Sequence, residues 1–342
     1  MDILEIDGSF GEGGGQIVRT AVSLSCITNK PVKIENIRKN RKVPGLKPQH
    51  LTALKILKKI CSADVQPLKI KSTSLQFFPK KVESCTLNED VGTAGSISLI
   101  IQVLIPVISI CQNKLKLKIK GGTDVLWSPT IDYSQVLLKE VYRRMGINFS
   151  IKLIKRGYYP KGGGIIELEV EPAKRIIPIN LSNRKTRIVK LSCSFSKIHF
   201  DIINDEIKGL EKKLTENNFV VKKEIKEEKA LDAGATLLIA SIDDHSIIGI
   251  DSLFDLKKKK FDLDLSGFIK NNQSVDENLA DMVVLPASLA EGMSIFQVDK
   301  ISKHLETNLF VASKITGCKY GIGKLQDGYE IRIQGVSNSS IK

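Results

Sequence analysis

The sequence predicts an α/β (α+β) protein: a large domain of repeated βαβα-type units with a small α/β domain inserted in it. Three observations lead there. Short β-rich runs alternate with amphipathic helical stretches, and glycine or proline marks each change of element. Between about 180 and 272 the composition changes to interleaved Lys and Glu, and the glycine-punctuated alternation then resumes. The predicted boundaries are therefore 1–179 with 273–342 for the large domain and 180–272 for the insert.

Taken in order, LEIDG reads as a strand, GEGGG as a turn, and Gln16 to Ile27 as an amphipathic helix. VKIENIR is a second strand. After the turn KVPGLKP, Leu51, Leu54, Ile56, Leu57 and Ile60 recur at near-helical spacing and predict a helix from Gln49 to Ser62. The cycle then repeats. SLQFFP and SCTLNE are strand-like, and Thr93-Ala94-Gly95-Ser96 opens an apolar helix ending near Cys111. LKLKIKGG alternates as a half-exposed strand, and Thr130 to Met145 is another amphipathic helix. INFSIKLIKRG and GIIELEVEP flank PKGGG as strands. No sequence period is regular enough to prove duplication. After the insert, Ser274 and Glu277 fit a capping box that opens a helix with Leu279, Met282 and Val283 inward; Glu277 and Asp281 share its other face.

The 342 residues, 42% hydrophobic, leave room for about two globular domains. The net charge of +14 suits a polyanionic partner, nucleic acid or a phosphorylated substrate; a lysine-rich surface set by genome composition is the alternative. Six scattered cysteines, with no C-x-x-C, suggest neither a disulfide framework nor a zinc site, and Cys26, Cys61 and Cys111 read as small apolar residues. The early acidic residue at the N-terminus does not suit a signal peptide. The run from Ile97 to Cys111, broken by Pro106, is short of the ~18 residues of a membrane span. A cytoplasmic protein without a membrane is expected.

Several motifs could carry chemistry. Asp7 to Gln16 places five glycines and Glu12 ahead of a helix with Arg19 on its first turns, which suits a phosphate cradle. Glu12 there suggests a bridging Mg²⁺ or Mn²⁺; a plain tight turn is the alternative. Arg38 and Arg41, followed by Gln49 and His50 at a helix start, would suit phosphate, though loop arginines are commonly just exposed. Gly121 to Asp124, Trp127-Ser128-Pro129 and Tyr159 to Gly164 read equally as turn chemistry. Of four histidines, His199 falls in an alternating strand and His245 in a turn. His304 could be a phosphoryl-attacking nucleophile or a structural residue. Neither a P-loop nor the lysine-nucleophile K-x-D-G occurs, so any adenylyl transfer needs another nucleophile.

DGSFGEGGGQIVRTAVSLS, IRKNRKVPGLKPQHLTALK, VGTAGSISLIIQVLIP, GGTDVLWSP, RGYYPKGGG, ENLADMVVLPASLA and HLETN, in this order, resemble the RNA 3'-terminal phosphate cyclase family. The likeness spans nearly the whole chain and is weakest between about 180 and 272. It implies a large domain resembling enolpyruvyl transferases with a small insert. It further implies ATP-dependent closure of an RNA 3'-phosphate into a 2',3'-cyclic phosphodiester, through a histidyl-AMP and an RNA-adenylate. By position, His304 would be the nucleophile and Glu12 a metal ligand. Arg19, Arg38, Arg41, Gln49 and His50 would bind ATP phosphates or the RNA end. Gln102 and Pro129 would line the nucleotide site, and Asp281 would orient His304 or touch the nucleotide. Asn278 stands where the family often has an aromatic, which leaves adenine stacking and base preference open. ATP, Mg²⁺ or Mn²⁺ and RNA are thus the implied partners, and a homodimer is left open. The rival readings are a non-catalytic RNA-binding relative and an enolpyruvyl transferase.

Overall fold

The computed structural model describes residues 3–337. The first unit is β1 (Leu4–Asp7), α1 (Gln16–Thr28), β2 (Val32–Glu35), α2 (Pro48–Cys61), β3 (Asp64–Gln66) and β4 (Leu75–Phe78). Its sheet runs β1-β2-β4-β3, with β1 and β2 parallel and the other neighbours antiparallel. A second unit repeats the plan: β5 (Cys85–Asp90), α3 (Ile97–Ile110), β6 (Leu115–Gly121), α4 (Ile131–Tyr133) with α5 (Lys139–Arg144), β7 (Phe149–Lys155) and β8 (Gly164–Val170). Its order, β5-β6-β8-β7, has the same parallel first pair. Strand β6 shows why alternation is read so directly. Leu115, Leu117 and Ile119 face the core, while Lys116, Lys118 and Lys120 face water and pair with Glu169, Glu167 and Asp90.

The insert is β9 (Ile188–Ser196), α6 (Phe200–Glu216), β10 (Val220–Glu227), β11 (Gly234–Ile242), β12 (Ile247–Asp255), β13 (Lys260–Phe261) and α7 (Leu265–Lys270). Its sheet, β10-β9-β11-β12-β13, packs a hydrophobic cluster of its own, from Val189 to Phe268. The chain then completes a third unit with α8 (Glu277–Ser288), β14 (Met293–Val298), α9 (Lys303–Thr316), β15 (Lys319–Lys324) and β16 (Tyr329–Gln334). The order β14-β16-β15 matches β2-β4-β3 of the first unit. The position of β1 is filled by residues 179–181, which run parallel to β14: Ile295 N donates to Ile179 O at 2.8 Å, and Leu181 N to Ile295 O at 2.9 Å. The insert thus interrupts the third unit after its first strand. All three units share one hydrophobic core.

The two cores meet at Arg156, whose side chain is 2% exposed. Nη1 donates to Asp124 at 3.0 Å and Thr236 at 3.1 Å; Nη2 donates to Asp132 at 2.8 Å and Ser194 at 2.9 Å; Nε donates to Glu228. Asp124 and Asp132 belong to the second unit; Ser194 and Thr236 belong to the insert.

Three local expectations change. The cap of α8 is Asp276, whose Oδ1 accepts from Asn278 N and Leu279 N at 3.0 Å each. Ser274 instead bonds the main chain of Gln297, so its hydroxyl joins the third unit's sheet and is not free to cap. His199 is not in a strand but stands at the N-terminus of α6. The helix from Thr130 is not uniform: a π-turn, Ser134–Leu138, separates α4 from α5. Cys26 and Cys61 are buried as expected, and Cys111 packs against the core's edge. No described helix is long and apolar enough to cross a membrane.

Candidate active site

The glycine loop leaves the carboxyl end of β1 and closes over the N-terminus of α9. Gly11 has a φ of 59°, which only glycine adopts freely, and a side chain there would run into Thr307 Oγ1. Phe10 stacks on Phe310 with ring centroids 4.2 Å apart, which clamps the loop to α9. Gly15 is constrained by space, because a Cβ there would run into the imidazole of His50, with Arg19 Nη1 3.4 Å away. A Cβ on Gly14 would stand 3.3 Å from both Arg41 Nη2 and Glu12 Oε2. The absence of side chains at 14 and 15 is what lets Arg19, Arg41, His50 and Glu12 converge.

His304 is the second residue of α9. Ser302 caps that helix by accepting from Leu305 N at 2.9 Å, and its hydroxyl donates to Asp281 Oδ1 at 3.0 Å. Asn308, one turn on, donates to Asp281 O at 2.9 Å and accepts from Thr20 Oγ1 at 2.7 Å. Helices α1, α8 and α9 are therefore bolted together directly beneath His304. Its Nδ1 lies 2.6 Å from Glu12 Oε2, off the line of a hydrogen bond, while Glu12 Oε1 pairs with Arg41.

The electrostatics favour an incoming anion. Burial, then the guanidiniums of Arg19 and Arg41, push the His304 pKa down to about 4, and the N-terminal end of α9 also disfavours a cation there. Glu277 opposes the shift. His50, buried and facing Arg19, Arg38 and Lys47, is held far below the ordinary imidazole range. Burial lowers Arg19 to about 10, with Asp281 opposing. Asp281 is itself raised well above the carboxylate range by burial, with Glu277 and Asp276 adding to the effect. Arg19 Nε is sealed from water with no hydrogen-bond partner, and Nη2 has only Gln16 Oε1. Two imidazoles whose charged forms are disfavoured and a guanidinium short of negative charge thus lie close together.

A family model described as RNA 3'-terminal phosphate cyclase matches residues 10–322. The chain belongs to this family. A relative from Methanosarcina barkeri, an RNA 3'-terminal phosphate cyclase by name, is 38% identical over 97% of this chain and 100% of its own length. One from Pyrobaculum aerophilum with the same name is 36% identical over 97% and 98%. Another, from Pyrococcus abyssi, is 36% identical over 92% and 94%.

Within this family's frame, the structure brings Glu12, Arg19, Arg41, His50, Asp281 and His304 into one cluster. Gln49 is the second residue of α2, with its backbone N facing the loop of Gly95, and His50 caps α2 by accepting from Lys47 N at 3.2 Å. Gln102 reaches the same cleft from α3 beside Arg19, with its Nε2 3.8 Å from Met282 Sδ. Arg38 lies close enough to His50 to act on its charge, but its Nη1 is taken by its own loop, donating to Val43 O at 2.7 Å and Gly45 O at 2.9 Å, and so shapes the loop that presents Arg41. Pro129 is placed by other contacts. Next to it, Thr130 N donates to Asp251 at 2.7 Å, on the wall of a cavity of about 260 Å³ that Glu277 and Asn278 also line. Sequence reasoning gives no role to Gln16, Thr20, Ser302 or Asn308. Ser302, a hydroxyl residue just ahead of a helix, is the one with a readable signal.

A dedicated metal cage does not exist among the described residues: no group of three or more His, Cys, Asp or Glu could hold an ion. Glu12, with Oε2 free of hydrogen bonds, fits a different arrangement: a hard cation carried on nucleotide phosphates with one protein carboxylate.

Proposed function

We propose that this protein uses ATP to convert an RNA 3'-terminal phosphate into a 2',3'-cyclic phosphodiester, with His304 as the nucleophile. The observation that carries the reading is the setting of His304: an imidazole kept neutral at the mouth of a glycine-loop cleft, between Arg19 and Arg41. Nδ1 is packed against Glu12, which leaves Nε2 as the ring nitrogen to attack. It attacks the α-phosphorus of ATP, the bond to the β-phosphate breaks, and pyrophosphate leaves. A 3'-phosphate oxygen of RNA then displaces histidine from the adenylyl group. The vicinal 2'-OH attacks the 3'-phosphorus, gives up its proton, and AMP departs.

Arg19 and Arg41 oppose the charge that builds on the phosphate oxygens, and backbone N–H groups at the start of α1 add to it. Glu12 is the group that would hold Mg²⁺ or Mn²⁺, which when bound would neutralise phosphate charge and ease departure of pyrophosphate. Asp281 positions His304 through Ser302 and Asn308.

The test is labelling with ATP radioactive at the α-phosphate. Wild type takes up an acid-labile, alkali-stable adenylyl group that RNA bearing a 3'-phosphate discharges, and His304→Ala takes up none. A folded wild type that never labels with either metal removes the mechanism. Label retained by His304→Ala moves the nucleophile elsewhere.

A further inference from the structure

Two loops of the second unit expose large apolar side chains to water. After β6, Leu126 and Trp127 are 62% and 90% exposed; after β7, Tyr159 is 75% exposed. Trp127 also has a φ of 63°, a left-handed conformation uncommon for a bulky aromatic, in a turn that Ser128 fastens by donating from Oγ to Val125 O at 2.9 Å. The loops are stitched side by side. Thr123 N donates to Gly157 O at 3.0 Å, Gly157 N donates to Thr123 Oγ1 at 2.9 Å, and Asp124 forms a parallel bridge with Tyr158. Because that bridge is parallel, the two chains leave it in the same direction. Trp127 comes three residues beyond it and Tyr159 one.

A chain of packing contacts links these loops to the residues around His304. Gly162 packs on Ala94, and a Cβ on neighbouring Gly95 would stand 3.5 Å from Gln49 N. From Gln49 the path runs through His50 to Gly15 and Arg19. Arg41, Lys42 and Lys161, near its two ends, are exposed cations.

We propose that Trp127 and Tyr159 form a stacking platform for the bases just upstream of the RNA 3'-phosphate, a reading that rests on the function proposed above. Every base offers a π face, so exposed aromatic rings hold a single strand without reading its sequence, while lysine and arginine track its phosphates. The cleft at His304 would take the terminal phosphate. The platform would grip the strand behind it and set the direction in which it enters. A net charge of +14 suits a nucleic-acid strand better than another copy of this basic chain as the occupant of the patch.

Trp127 is the only tryptophan in the chain, so its fluorescence reports on the platform directly. Titrating full-length wild type with a short oligoribonucleotide ending in a 3'-phosphate should quench it, whereas inorganic polyphosphate, which offers charge without bases, should not. Trp127→Ala should raise KM for the oligonucleotide about tenfold, with the loss in KM rather than kcat, and Trp127→Phe should restore most of it. Tyr159→Ala should act in the same direction. If the oligonucleotide is cyclised but fluorescence is unmoved and Trp127→Ala has the wild-type KM, the platform is wrong and the proposed function stands. Fluorescence that instead changes with protein concentration in the absence of RNA, and stops changing when Tyr159→Ala renders the protein monomeric, makes the patch a contact between copies and overturns the proposal. A wild type that takes no AMP from ATP alone fails before RNA is involved, on the function itself.

Discussion

Arg156, at the joint between the cores, and Arg19, on the first turn of α1, are both drawn away from water in opposite surroundings. Arg156 is supplied beyond its charge: its five hydrogen bonds reach three carboxylates and two hydroxyls. Burial works against its cation, but Asp124 and Asp132 outweigh burial and raise its pKa. Arg19 has only the amide oxygen of Gln16 and an Asp281 whose own pKa is driven up, and it is lowered to about 10. A guanidinium satisfied on every side belongs to the architecture. One left short of acceptors in an open cleft is prepared for an anion that the chain itself does not provide.

The comparison predicts that the two positions separate stability from activity. Arg156→Ala leaves Asp124, fully buried, without its counter-charge. Removing one partner of such a cluster costs about 3–5 kcal/mol, to be read as a lower midpoint in urea and loosened packing of the insert. A loss under about 1 kcal/mol would mean that water or rearrangement replaces the guanidinium, and that the joint is not rigid. Arg19→Met keeps similar bulk and removes a cation that folding leaves under-paired. Histidine labelling by ATP should fall at least about 100-fold, roughly 2.7 kcal/mol of transition-state stabilisation, while the melting temperature holds or rises. A melting temperature that drops as for Arg156→Ala would return Arg19 to the architecture.

The same contrast explains which residues are legible in the sequence. The glycine loop and Arg19 sit in one short local pattern, His304 is marked only by the resemblance of HLETN to the family, and strand β6 shows its alternation openly. Arg156 gives no such signal. Its partners lie 24 to 80 residues away, and nothing local distinguishes it from a loop arginine. The third repeat is hidden for a related reason, since its first strand, 179–181, precedes the insert and its helices follow it. Ser274 and Asp276 compete for the same cap, and only the pairing of Ser274 with Gln297 across the sheet decides it. Arg38 shows the limit from the other side: it lies in a motif of the family, yet one of its guanidinium nitrogens is spent holding its own loop.

A smaller effect separates the roles of Arg19 and its neighbour Arg41. If burial and these two cations hold His304 near a pKa of about 4, the second-order rate of labelling, which reports the free protein, should keep its plateau well below the ordinary imidazole value of 6.5 and fall only near 4. Arg41→Ala removes one of those cations and frees Glu12, 2.6 Å from Nδ1, to stabilise the protonated ring. Both changes move the acid limb upward, toward neutral pH. The stability effect has the matching sign. Between pH 6.5 and about 4 the unfolded chain binds a proton at this histidine and the folded chain does not, so falling pH favours unfolding across that window. His304→Gln removes that contribution, and its stability should decline less steeply with acid than the wild type's. A labelling profile for wild type with its limb at 6.5 would mean that the imidazole feels water and Glu12 more than the arginines. The cluster would then need no missing anion, and the distinction between Arg19 and Arg156 would rest on hydrogen-bond count alone.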